Sequence, residues 1–315
     1  MLSILRTAAT LRSVAMPLAS AGLHFYSAIY CIYEIWSMLL AGVLETLLPG
    51  VHRIVAPNPS VLTGPGTNTY LLGNTQITVL DPGPDIPEHI AAIEAGIAQL
   101  GGELVRIVTT HTHPDHSPAT AALQARYAVP VIGAVIEDDG HQDTSFAPTS
   151  SLAHDDCFDV DGSVLRAIHT PGHVGNHFCF LHEASGTVFT GDHIMQGSTV
   201  VIIPPAGDMA DYIASLRLLL DYPLSYLAPG HGTLIDAPVK EVEHLIAHRQ
   251  SREDKVRAAL IQVKKGDLDD LVAVAYQDVD AAIHPIAKLS LWAHLLKLEK
   301  ESLAQQHNGQ WELVA

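Results

Sequence analysis

The chain has 315 residues, enough for a catalytic domain and a small second one, and its hydrophobic content of 48% marks it as globular rather than disordered. Seventeen Lys and Arg against 34 Asp and Glu give a net charge of −17, which argues for a soluble chain and against binding to polyanions. The three cysteines, Cys31, Cys157 and Cys179, are odd in number and lack paired metal spacing, so neither a disulfide framework nor a cysteine metal site is expected; a reducing, cytoplasmic location fits best.

Residues 1–48 differ from the rest. Arg6 and Arg12 are the only basic side chains there, and no acid precedes Glu34. The uncharged run Ser13–Tyr33 is long enough to span a bilayer, but Pro17, Gly22, His24 and three serines weaken it. Ala19-Ser20-Ala21 has the form of a signal-peptidase site, and the Arg, Ser and Thr content also suits an organellar transit peptide. A start at Met38 is the fourth reading, so organellar or membrane-associated placement stays open beside the cytoplasmic one.

From residue 49 a catalytic domain is expected to run to 248. Val51–Ala56 reads as a strand, and Thr67–Gly73 with Gln76–Leu80 as a hairpin around Gly73-Asn74. Ile86–Leu100 has helical spacing and stops at Gly101-Gly102. The β-branched run Leu104–Thr110 is a buried strand, and it ends in His111-Thr112-His113-Pro114-Asp115-His116. Pro114 bars a helix through this loop, so three imidazoles and a carboxylate can converge on one centre. Such donors suit zinc and, less strongly, iron or manganese. Ser117–Tyr127 reads as a helix and Val129–Ala134 as a strand.

One loop cannot complete two metal sites, but further donors stand at later strand ends. His173 follows the apolar run Val164–Ala167 and a Pro-Gly turn; Asp192 ends Thr187–Gly191; His231 lies between glycines after Leu224–Ala228. Alone, Asp192 or His231 reads as a turn residue. Together they make five His and two Asp at strand ends. His177 and His193, near these donors, are candidates for proton donors or for outer hydrogen-bond partners. His141, His154, His182, His244 and His248 read as surface or packing residues, and Tyr212 and Tyr222, beside a helix over Asp208–Leu220, as packing. The loops Val135–Ser151 and Gly197–Gly207 are the expected pocket walls.

Residues 249–315 read as a separate unit with helices at Arg252–Lys264, Leu268–Tyr276 and Ala281–Glu301. Strands at Ser302–Gln306 and Gln310–Val314 follow, joined by Asn308-Gly309. Three helices and a β-wing make a winged helix, a unit that often binds nucleic acid. Its nine basic residues face ten acids, and the third helix offers only Lys288, Lys297 and Lys300, a weak phosphate footprint.

The H-x-H-x-D-H loop followed by separate His, Asp and His resembles the metallo-β-lactamase superfamily. That resemblance implies an α/β fold, an αββα sandwich, here followed by a winged helix. It implies that His111, His113 and His173 bind one metal, that Asp115, His116 and His231 bind a second, and that Asp192 bridges them. Asp81, in Val79-Leu80-Asp81-Pro82-Gly83, matches a strand-end Asp that orients the metal loop. Two divalent ions, zinc first among them, are therefore expected, with a metal-bound hydroxide as nucleophile and Asp115, or else His177, passing the proton to the leaving group. The domain order, Gly64-Pro65-Gly66-Thr67-Asn68-Thr69-Tyr70 and the Trp311-containing wing are similar to a subgroup whose mitochondrial animal members cleave single-stranded RNA. Residues 49–248, however, carry six basic against 22 acidic side chains. That field disfavours RNA and puts a small ester, thioester, lactone or lactam first, with a metal-dependent endoribonuclease second. Membrane association through residues 1–48 and the oligomeric state stay open.

Overall fold

The computed structural model describes residues 39–314, so the four readings of the N-terminal stretch fall outside the described residues. Among those described, no helix is long and apolar enough to cross a membrane. One sheet is built from β1 (Glu45–Leu48), β2 (Val51–Val55), β3 (Asn68–Leu72), β4 (Gln76–Leu80), β5 (Glu103–Val108) and β6 (Val131–Ile132), in that spatial order. It is antiparallel as far as β4 and parallel from β4 to β6. The parallel crossovers are α1 (Pro87–Leu100) and α2 (Ala119–Tyr127). The second sheet runs β11 (Tyr226–Pro229), β10 (Thr187–Gly191), β9 (Phe178–His182), β8 (Ser163–His169), β7 (Cys157–Val160), with α3 (Met209–Leu219) crossing between the parallel pair β10 and β11.

Side-chain alternation along these strands sorts the apolar residues into layers. Tyr70, Leu72, Leu80 and Val108 of the first sheet face Leu165, Phe178, Phe180 and Phe189 of the second, forming the central layer. Their neighbours Leu71, Ile77, Val79 and Ile107 point the other way, beneath Ile90, Ile93 and Ile97 of α1 and Leu123 of α2. On the far side Cys179, Leu181 and Val188 meet Met209, Tyr212 and Leu216 of α3 and Val242 and Leu245 of α4 (Pro238–Val263). The result is the expected helix–sheet–sheet–helix sandwich. Truncating a central aromatic such as Phe180 would cost about 3–5 kcal/mol.

The C-terminal unit contains the second half of α4, then β12 (Lys265–Gly266), α5 (Leu268–Ala275), a 3-10 turn at Ala281–Ile283, α6 (His284–Lys300), β13 (Ala304–His307) and β14 (Gln310–Leu313). Asp267 and Asp270 close a capping box on α5. Asn308 and Gly309 both take left-handed backbone (φ 52° and 80°), as the Asn-Gly hairpin signal requires. Val256, Leu260, Leu271, Leu291, Leu298 and Trp311 form its core, so the winged helix stands as expected.

Both expected domain boundaries shift. Glu45–Leu48, assigned from the sequence to the N-terminal extension, is an edge strand of the first sheet; Leu47 and Leu48 pack on the central layer, and Glu45 pairs with the buried Arg53 at 2.6 Å. At the other end α4 is one 26-residue helix running through the boundary at 248/249, not a helix starting at Arg252. Ala293 of α6 also joins the α3–α4 core, and Lys300 pairs with Asp208, the N-cap of α3. The winged helix is therefore fused to the sandwich by packing as well as by sequence. The strands β7 and β9 were not foreseen. Phe178-Cys179-Phe180-Leu181-His182 is buried on both faces, which removes the polar–apolar alternation that marks a one-sided strand.

Candidate metal centre

Every expected ligand arrives at one edge of the sandwich because it follows the C-terminal end of a strand. His111, His113, Asp115 and His116 follow β5, His173 follows β8, Asp192 follows β10 and His231 follows β11. Their donor atoms gather into three overlapping groups: His111, His113 and His173; His111, His116 and Asp192; Asp115, His116 and His231.

The hydrogen bonds behind the rings fix which nitrogens face inward. Thr110 Oγ1 donates to Asp81 Oδ2 at 2.8 Å, so it must accept from His111 Nδ1 at 3.0 Å, leaving His111 Nε2 a bare lone pair. His173 Nδ1 donates to the Val201 carbonyl at 2.9 Å, which leaves its Nε2 bare as well. Both Nε2 atoms lie 3.0 Å from His113 Nδ1, which can donate to only one of them. At most one of these two lone pairs is therefore satisfied, and three ring nitrogens converge within 4.8 Å of one another, an arrangement that suits a cation among them.

The second group has the same character. His116 Nδ1 donates to Asp81 Oδ2 at 2.9 Å, and His231 Nδ1 to the Gly66 carbonyl at 3.3 Å. Their Nε2 atoms then face carboxylate: His116 lies 3.2 Å from Asp192 Oδ1 and 3.5 Å from Asp115 Oδ2, and His231 lies 3.2 Å and 3.3 Å from the same two atoms. Asp192 reaches the first group through its other oxygen, 3.8 Å from His173 Nε2, as a bridging ligand would. His116 Nε2 and Asp192 Oδ1 are buried without a hydrogen-bond partner. The donor set thus fits two divalent ions.

The two halves differ in charge. Burial, with neighbouring imidazoles, holds His111 well below the ordinary imidazole value and His113 at about 3. Burial works against protonating His231 and His116 too, but Asp192 and Asp115 outweigh it, placing His231 at about 9 and His116 well above its ordinary value. Asp115 falls to about 2: burial opposes the shift, and His116 and His231 drive it. In metal-free protein the three-histidine group is accordingly neutral, whereas the second group holds protons where an ion would sit.

The frame behind the ligands is tightly built. Asp81 sits in left-handed backbone (φ 50°), buried, and accepts from Thr110 N at 2.7 Å as well as from Thr110 Oγ1 and His116, so it ties both ends of the loop to one carboxylate. A Cβ on Gly230 would lie 2.8 Å from both Asp192 Oδ1 and His116 Cε1, so only glycine fits between those ligands. Several supporting residues escaped the sequence reading. Thr67 Oγ1 donates to Asp115 Oδ2 at 3.2 Å, Asn68 Nδ2 donates to the Pro229 and Gly232 carbonyls at 2.9 Å each, and Tyr70 OH donates to Pro229 at 2.7 Å. The Gly64–Tyr70 motif is therefore the clamp on the His231 turn. Asn176 similarly ties Thr112 Oγ1 (2.7 Å) to the Ala134 carbonyl (2.9 Å).

Two expected roles fail on geometry. His177 is fully buried, its Nδ1 bonded to Thr170 Oγ1 at 3.0 Å and its ring stacked 5.1 Å from His111; it has no access to the cleft and cannot serve as the proton donor. Neither ring nitrogen of His193 has a partner, so it hydrogen-bonds no ligand and packs instead against Tyr212 at 4.8 Å. Asp115, with its side chain 26% exposed against 12% for Asp192, is the carboxylate open to a substrate. Tyr212 packs as expected. His244 and His248 line a groove of about 560 Å³ with Gln196, Ser198 and Thr199, and no predicted ligand lines that groove. Of the expected pocket walls, only the start of Gly197–Gly207 contributes to it.

The sequence profile of the metallo-beta-lactamase superfamily matches residues 62–231, and that of the beta-lactamase associated winged helix domain matches residues 268–311. The chain belongs to the metallo-beta-lactamase superfamily. It is a hydrolase of that superfamily. Among its relatives, a Drosophila melanogaster protein named Beta-lactamase-like protein 2 homolog is 31% identical over 283 residues, covering 84% of this chain and 92% of its own. An Atrochrysone carboxyl ACP thioesterase from Passalora fulva is 32% identical over 222 residues, covering 69% of this chain and 63% of its own. The crystal structure of a Beta-lactamase domain protein from Burkholderia ambifaria matches with a TM-score of 0.74 over 87% of this chain and 94% of that one, a likeness of fold at 21% identity.

Proposed function

We propose that the protein hydrolyses a small acyl ester or thioester at a binuclear centre holding two divalent ions, zinc first among them. The observation that carries the substrate class is the fate of the lysines on α6. Lys288 pairs with Asp269 at 2.7 Å, Lys297 pairs with Glu253 and Glu301 at 2.8 Å each, and Lys300 pairs with Asp208. Such pairs add little stability at a surface, but each cancels a charge that phosphate binding would need. Added to the acidic balance of residues 49–248, this leaves α6 without a free lysine for a nucleic acid. The thioesterase relative supports the same class.

When bound, the two ions supply an activated water and polarise the scissile carbonyl. His111, His113 and His173 would hold one ion and Asp115, His116 and His231 the other, with Asp192 shared. Asp81, Thr110, Gly66 and Val201 keep the ligand imidazoles in the tautomers that expose their inward nitrogens. All the hydrogen-bond and ion-pair contacts of Asp115 reach Oδ2, so Oδ1 is free to take a proton from the attacking water and pass it to the leaving group. Incubating zinc-loaded protein with an acyl thioester and a thiol reagent tests the proposal. Steady thiol release, abolished by chelation and restored by zinc, is expected; an inert thioester panel beside rapid cleavage of single-stranded RNA would replace this reading with the endoribonuclease.

A further inference from the structure

Arg249 is only 3% exposed, and no acidic side chain among the described residues pairs with it, whereas Arg252, three residues on, pairs with Asp278. A buried guanidinium without a counter-charge is costly, so its contacts are informative. Nη2 donates to the Val200 carbonyl at 2.5 Å, and the guanidinium lies 5.1 Å from the centroid of the Tyr212 ring. The next carbonyl along, Val201, accepts from His173 Nδ1 at 2.9 Å. Tyr212 in turn donates to the carbonyl of His193, the residue after Asp192, at 3.0 Å. Two successive carbonyls are thus tied, one to α4 and the other to a metal ligand, and the same guanidinium braces the ring that holds the segment after the bridging carboxylate. α4 is also the helix that carries Val256 and Leu260 into the winged-helix core.

We infer that Arg249 is a positioning residue for the three-histidine site, and that through it the docking of the winged helix sets the metal affinity of that site. The inference rests on the binuclear reading above. With the Val200 carbonyl released, Val201 can drift and the His173 ring loses the partner that fixes its tautomer and angle. Loss of a ligand's outer partner weakens metal binding about 10–100-fold. Arg249 acts one peptide further away, so about tenfold is expected.

The test uses the full chain with Arg249→Met, Arg249→Lys and, as a control on the same helix, Arg252→Met. Zinc affinity is read by chelator competition, the three-histidine site by the visible spectrum of the cobalt-substituted protein, and the fold by thermal unfolding of the metal-free form. Arg249→Met should weaken one of the two zinc equivalents about tenfold and alter the cobalt spectrum. Arg249→Lys, which keeps one donor for Val200, should recover part of both, and Arg252→Met should change neither. Unchanged zinc affinity in Arg249→Met, or equal losses in Arg252→Met, overturns the inference. Should Arg249→Met fail to fold, Arg249→Lys decides: wild-type affinity and spectrum overturn it. A wild-type protein that binds no zinc would sink the binuclear reading itself, a result distinct from two bound equivalents that ignore Arg249.

Discussion

Changing Asp81 to Asn preserves shape but reverses one donor. Asp81 Oδ1 accepts from Thr110 N at 2.7 Å, a backbone donor that cannot be reversed, so the asparagine oxygen must occupy that position. Its NH2 then takes the place of Oδ2 and faces Thr110 Oγ1 and His116 Nδ1, both of which now donate toward it at 2.8 and 2.9 Å. The hydroxyl can turn, but His116 can comply only by moving its proton to Nε2, the nitrogen that faces Asp192 and Asp115. A protonated Nε2 is no ligand. The second site should lose at least the 10–100-fold typical of outer partners, about 1.4–2.7 kcal/mol. The three-histidine site should lose less, because His111 still donates to Thr110 Oγ1. Two-site zinc titration with competing chelators separates the two. Wild-type affinity at both sites in Asp81→Asn would refute the tautomer argument.

Four further outcomes follow from the geometry. Gly230→Ala places a methyl 2.8 Å from Asp192 Oδ1 and His116 Cε1, so elemental analysis should find less than two metals per chain while the far-UV circular dichroism stays native; full occupancy would contradict the close approach. His116 and His231 are protonated at neutral pH in metal-free protein, so metal uptake at their site must release protons and should tighten as pH rises toward about 9, whereas the three-histidine site releases none; calorimetry in buffers of different ionisation heat that finds equal release from both sites would overturn this. The same raised values stabilise the metal-free fold below the ordinary imidazole value of 6.5, and that stability should fade as pH rises through about 9, seen as a falling thermal midpoint. Relative to a chain starting at Leu40, one starting at Leu48 loses β1 and the Glu45 partner of Arg53, whose Nη1 holds the Gly232 carbonyl at 2.9 Å; its midpoint should fall by about 2–4 °C for each kcal/mol lost, and equal midpoints would show β1 to be dispensable.

The seven donors were legible because metal chemistry restricts residue type, and because each stands at a strand end that the hydropathy pattern could find. Their supports were not. Asn68 acts on Pro229 and Gly232, 161 and 164 positions away, and Asn176 acts on Thr112, 64 away. Nothing local distinguishes either from any polar residue in a turn. His177 and His193 misled for the converse reason: proximity in sequence to ligands suggested a role that burial denies them. Helix α4 was cut short because the run Arg252-Glu253-Asp254-Lys255 near its middle is wholly charged, so the apolar face fades where one core ends and the next begins. Strand β1 was missed because its burial is only partial at the sheet edge.

The central claim is a two-metal hydrolase for small acyl substrates, and one side-by-side rate measurement tests it most directly. Zinc-loaded protein, with metal content counted in the same sample, is given an acyl thioester and a single-stranded RNA across a range of salt. Two zinc equivalents per chain, thioester turnover that barely changes with salt and no RNA cleavage are predicted. RNA cleavage that weakens steeply with salt, by about 0.7 log units per log unit of salt for each phosphate neutralised, with no thioester turnover, would contradict the account.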